Sequence, residues 1–174
     1  MDHLLSSYDY ELPESLIATL PLDSRRQSRL LVLQNNAIVP SHGQFEDFLS
    51  ILNPGDVLVL NDTYVLPARL YGFKAASGGK VEVLLSRHLK EHRWVALLKS
   101  NKKLKPEAII HFDAPYPLPL EAIVCGPISN EPGAYEVQFN QDVRPFAQDH
   151  GEIPLPPYMR RCANEEDKER YQTV

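Results

Sequence analysis

The chain has 174 residues, 43% of them hydrophobic and 24% charged, with a net charge of −5; this fits one globular domain or two small ones with an ordinary apolar core. No run of 18 apolar residues occurs, and no basic segment precedes an apolar run at the amino terminus, so a membrane span and a secretory leader are not expected and a cytoplasmic protein is. The two cysteines, Cys125 and Cys162, lack metal-ligand spacing and fit a reducing compartment, and no metal is expected.

Residues 8–12 read as extended chain. Pro13 opens a helix in which Leu16, Ile17 and Leu20 share a face, and Pro21 ends it. The polar loop that follows holds Arg25, Arg26 and Arg29, which can grip an anion or can be surface charge. Leu30–Leu33 reads as a strand, Asn35-Asn36 as a hairpin turn, and Ile38–His42 as the return strand. Phe45, Phe48, Leu49 and Leu52 fall at i, i+3, i+4 and i+7, which predicts an amphipathic helix. Val57–Leu60 is apolar on both faces and predicts a central strand covered on both sides. It stops on Asn61-Asp62-Thr63. These residues either cap a core strand as a turn or form a ligand corner, because open α/β sheets place ligands at the carboxyl ends of buried strands.

Beyond that corner the periodicity changes. Segments 65–73, 80–89, 93–100, 108–112, 119–128 and 134–140 read as strands, most of them alternating, with turns at 77–79, 90–92, 101–106, 114–117 and 130–133. Six short antiparallel strands at this spacing predict a small barrel or sandwich. Pro67 pushes the first strand toward an edge or a bulge. Val143, Phe146 and Ala147 mark a short helix with Gly151 as its cap. Pro154, Pro156 and Pro157 then stiffen the backbone, either as a linker or as a rigid holder for Tyr158, Arg160 and Arg161. Residues 164–171 predict a helical turn or two. The expected fold is α+β and multi-domain. A six-stranded antiparallel β-barrel, residues 63–142, is inserted into a mixed α/β domain of residues 1–62 plus 143–174, and that domain is expected to be incomplete in this chain.

Charge is unevenly spread. Residues 74–105 hold nine Lys/Arg against two acids, a local +7, while residues 106–174 hold five against twelve, a local −7. The basic stretch is either a phosphate-collecting face or the solvated, aggregation-resistant surface of a β-domain.

Five blocks carry a resemblance: YDYELPESLIATL (8–20); residues 21–33 with Arg25, Ser28 and Arg29; LVLNDTYVLPARLYG (58–72); GGKVEVLL (78–85); and GEIPLPPYMRR (151–161) with DKERYQTV (167–174). In this order they resemble the amino-terminal part of the QueA family of queuosine biosynthesis, the S-adenosylmethionine:tRNA ribosyltransferase-isomerases. Tyr64 stands where that family has Arg in the motif, and the family continues beyond the last block, so these 174 residues alone are expected to be inactive or partial.

The resemblance implies transfer and isomerisation of the ribosyl part of S-adenosylmethionine onto 7-aminomethyl-7-deazaguanine at the tRNA wobble position. Epoxyqueuosine forms, and adenine and methionine leave. S-adenosylmethionine is then a co-substrate, no prosthetic group is needed, tRNA is the partner, and the complete protein is expected to be monomeric. Such chemistry needs a base for the proton beside the sulfonium, an acid for adenine, a carboxylate near the sulfonium and cations for the RNA backbone. The residues carried over are Asp62 as base or sulfonium partner; Asn61, Arg69 and Glu82 as shapers of the corner; and Tyr158, Arg160 and Arg161 for base stacking and phosphate contact. The alternative is a non-catalytic barrel that binds tRNA.

Overall fold

The computed structural model describes residues 4–35, 38–114 and 119–173. It divides into two compact units, Met1–Leu60 with Pro156–Arg161, and Asn61–Leu155 with Cys162–Val174.

The first unit contains a two-stranded antiparallel ribbon, β1 (Arg29–Val32) and β2 (Ser41–Gln44), in register from Arg29↔Gln44 to Val32↔Ser41. The return strand thus falls three residues later than the periodicity predicts, and the expected Asn35-Asn36 turn lies partly outside the described residues. The remaining elements are 3-10 turns. The helix expected after Pro13 is reduced to Glu14–Leu16, and the helix expected from Phe45 is a 3-10 segment, Phe45–Ser50. A capping box between Gln44 and Asp47 starts that segment, and the Phe45 and Phe48 rings stack at 5.9 Å. Among the described residues none of this unit is buried. An amphipathic helix draws most of its stability from covering its apolar face, and that cover is missing here.

The central strand expected at Val57–Leu60 does not form. Residues 57–60 pair with no strand, and Val57 and Val59 are each 88% exposed. A strand apolar on both faces needs a hydrogen-bonding neighbour and a covering layer, and the short ribbon of this unit supplies neither to it.

The second unit is built on a closed barrel, as alternation predicts. Its strands are β3 (Arg69–Lys74), β4 (Lys80–Lys90), β5 (Arg93–Ser100), β6 (Ile109–Phe112), β7 (Leu120–Pro127) and β8 (Ala134–Phe139), in the order β3-β4-β5-β8-β7-β6 and antiparallel throughout. Register shifts at Leu85/Arg87 and His88/Lys90 let the long β4–β5 pair curve. Closure is made by a short seam between β3 and β6, Phe73↔His111 and Lys74↔Ile110. There Gly72 passes so close to the His111 carbonyl that a β-carbon would sit 2.6 Å from it. Leu70, Val81, Val83, Ile110, Leu120, Ala122, Val124, Val137 and Phe139 point inward and are buried; each large one contributes roughly 1.5–3 kcal/mol relative to exposure. The expected turn at 114–117 lies mostly outside the described residues.

Helix α1 (Val143–His150) lays Val143, Phe146 and Ala147 into this core, and the Phe146 ring meets Phe112 edge-on at 5.8 Å. Asp142 caps it by accepting from Arg144 N at 3.1 Å. Hydrogen bonds from the Arg144 side chain hold the Asp142 carboxyl below the usual carboxylate range. Helix α2 (Glu165–Arg170) starts with a reciprocal capping box between Asn164 and Asp167. Both helices group with the barrel, whereas the sequence joins 143–174 to the first 62 residues. Among the described residues no helix is long and apolar enough to cross a membrane.

Candidate functional site

The barrel places four polar side chains together on its outer face. Arg69 and Tyr71 alternate outward on β3, and the β3–β4 register sets Glu82 directly opposite Tyr71. Arg69 Nε lies 3.2 Å from Glu82 Oε1. Shielded from solvent, that N–H is not aligned on a hydrogen-bond acceptor, so the contact is Coulombic in character.

Glu152 completes the group. β6 covers only the far end of β3's second edge, and the main chain of Glu152 fills the near end. Arg69 N donates to Glu152 O at 3.1 Å, and Glu152 N donates to Arg69 O at 2.9 Å. Gly151 permits this approach, since a β-carbon there would overlap the carbonyls of Pro67 and Ala147. The Tyr71 hydroxyl then donates to Glu152 Oε2 at 3.1 Å. Burial, that hydrogen bond and the charges of Glu152 and Glu82 together push the Tyr71 phenol above its ordinary value, with Arg69 opposing. The phenol is therefore a stable hydrogen-bond donor at neutral pH. Two carboxylates around one guanidinium and one phenol make a surface suited to holding a cation or passing a proton. Glu152 also lines an open cleft of about 250 Å³ with Asp149, His150, Asn164, Glu165 and Lys168. Enclosed ligand sites are usually about 300 Å³ or larger, so this cleft is small for a nucleoside.

The Asn61-Asp62-Thr63 corner is a turn. The Asn61 side-chain oxygen accepts from Thr63 N at 3.1 Å and from the Thr63 hydroxyl at 2.6 Å. The chain after it is fixed from far away. Gln172 uses its side-chain amide as a strand neighbour would use its backbone, donating to Val65 O at 3.0 Å and accepting from Val65 N at 2.8 Å. Thr173 adds a bond to Thr63 O at 2.8 Å. Asp62 itself is exposed and has no hydrogen bond or ion pair among the described residues.

Tyr158, Arg160 and Arg161 lie in the other unit. The prolines lead into a 3-10 turn, Pro157–Met159, and Arg160 is left-handed at φ 48°. Arg160 grips Glu14 bidentately at 2.7 and 3.0 Å, and Arg161 Nε donates to Thr19 O at 3.0 Å. These arginines brace their own unit. Of the residues expected from the sequence, Arg69 and Glu82 are thus brought together, and Asn61 and Asp62 form a separate corner. Tyr71 and Glu152 are members of this polar cluster that sequence reasoning missed. The available signal was the outward alternation of Tyr71 with Arg69, and the single acid, Glu152, in the proline-rich segment.

The fold and this cluster define an α+β protein whose closed barrel carries an acid–base surface outside its core. The chain belongs to the queuosine biosynthesis protein family, whose model matches residues 5–174. It is also similar to the crystal structure of an S-adenosylmethionine tRNA ribosyltransferase from Thermotoga maritima, at 30% identity over 94% of this chain and 53% of that one, with a TM-score of 0.40. The chain spans about half the length of that protein.

Proposed function

We propose that the protein carrying this chain is a tRNA-modifying transferase. It moves the ribosyl moiety of S-adenosylmethionine onto 7-aminomethyl-7-deazaguanine at the tRNA wobble position and isomerises it to epoxyqueuosine, with release of adenine and methionine. The observation that carries this reading is the family match over residues 5–174. The convergence of the LPARLYG and GEIPLPPY segments on one polar cluster supports it. In this reading Asp62 takes the proton from the carbon beside the sulfonium or faces the sulfonium charge. Arg69, Tyr71, Glu82 and Glu152 form a second surface that is polar and net anionic, which favours a sulfonium. Tyr158, Arg160 and Arg161 serve the nucleobase and phosphates of the RNA.

The test is incubation of the protein with S-adenosylmethionine and tRNA bearing the precursor base, following adenine release and the nucleoside formed by mass spectrometry. Epoxyqueuosine together with adenine is the expected result; absence of both overturns the reading. Asp62→Asn lowers adenine release by about 10²–10⁴-fold, the range for a lost general base, while tRNA binding is retained.

A further inference from the structure

The topology gathers charge that the sequence leaves strung along 32 residues. Antiparallel strands put the end of β3, the start of β4, the end of β5 and the loop into β6 at one end of the barrel. Lys74, Lys80, Lys99, Lys102, Lys103 and Lys105 therefore share that end. All but Lys74 are exposed. Among the described residues none of the six has a carboxylate within ion-pair distance, whereas Arg69, Arg87 and Arg93 of the same barrel each have one. The local acids are already engaged: Glu82 by Arg69 at 3.2 Å and Glu131 by Arg87 at 3.0 Å. Among the described residues of this end, Glu107, exposed in the loop, is the acid left to offset the six ammonium groups.

The loop that carries three of them is anchored. Leu104 is buried against the barrel core. The Lys102 carbonyl accepts from Lys74 Nζ at 2.7 Å and from the Ser100 hydroxyl at 2.7 Å. Lys102, Lys103 and Lys105 thus flank a fixed point, and less backbone entropy is lost when they meet a ligand. A set of unpaired lysines that share one end and one anchored loop fits a chain of phosphates. It lacks the planar, bidentate chemistry that singles out one carboxylate or one phosphate.

We propose that this end of the barrel is the docking surface for the phosphate backbone of tRNA. The assignment rests on the reading that tRNA is the substrate, and it places sequence-independent RNA contact at the end of the barrel where the β3–β4 hairpin turns. Contact of this kind releases counterions and is steeply salt-dependent.

The experiment is fluorescence anisotropy of a labelled tRNA transcript against this chain over a salt series, with adenine release by the protein that carries this chain measured in parallel. The double variant Lys102→Glu/Lys103→Glu is compared with a charge-matched control, Lys90→Glu/Arg144→Glu, both checked by thermal melting. The loop variant is expected to lose about tenfold or more in affinity and to flatten the log K against log salt slope by about two units, while the control stays within about twofold of the parent. Equal losses in the two variants, or an unchanged slope, overturn the proposal, as does a parent chain that binds no tRNA at low salt. Failure of the transferase reading looks different. Adenine release is then absent while the lysine-dependent salt slope persists, and the surface stands as an RNA contact in its own right.

Discussion

At the scale of residues, the cluster on the outer face of β3 turns on Tyr71. Its phenol is pushed up by burial first, and then by the hydrogen bond to Glu152 and two carboxylate charges. The folded pKa lies above the unfolded value, so the associated stability is fully present below the ordinary tyrosine pKa of about 10 and is lost as pH rises through the raised one. The stability gap between the parent and Tyr71→Phe should therefore be constant at neutral pH and narrow above about pH 10, as read from denaturant melts. Phenolate absorbance gives the companion result. Glu152→Gln moves the highest-titrating tyrosine down, and only partway, because the burial remains. This part of the site was only half legible in the sequence. Arg69 and Glu82 stand out as charged residues on alternating strands. Glu152 reaches Tyr71 across a separation of 81 residues, through a main-chain bridge that leaves no periodic trace.

At the scale of elements, the six barrel strands were legible because a closed barrel supplies its own cover, so inside–outside alternation is imposed locally on each strand. The 3-10 turns of the first unit were not. Phe45, Phe48, Leu49 and Leu52 carry a helical spacing, but the helix needs a layer against that face, and the described unit offers a two-stranded ribbon. Barrel closure has one narrow place. Gly72→Ala puts a methyl group 2.6 Å from the His111 carbonyl and 2.8 Å from an Ile110 methyl group, both on the strand that completes the ring. Overpacking of this kind costs about 1–3 kcal/mol. The expected result is a lower melting temperature, with hydrogen exchange rising first at the amides of β3 and β6.

At the scale of the whole molecule, the two units differ in kind. One has a continuous buried core and the other, among its described residues, has none. The stretch from Val57 to Leu60 combines β-propensity with exposure and no charge, a pattern that pairs readily with another chain. Val59→Lys should reduce light scattering at high protein concentration and leave the barrel's melting transition unchanged, since Val59 makes no part of that core. The Gln172 clamp on Val65 has a consequence for synthesis. It closes over 107 residues, so the barrel can be complete on the ribosome while the segment after Asp62 still lacks its last fastening. From the end of β8 at Phe139 to Gln172, that interval is roughly 2–7 s at about 5–20 residues per second. A nascent chain thus passes through a period in which its barrel is folded but unlatched.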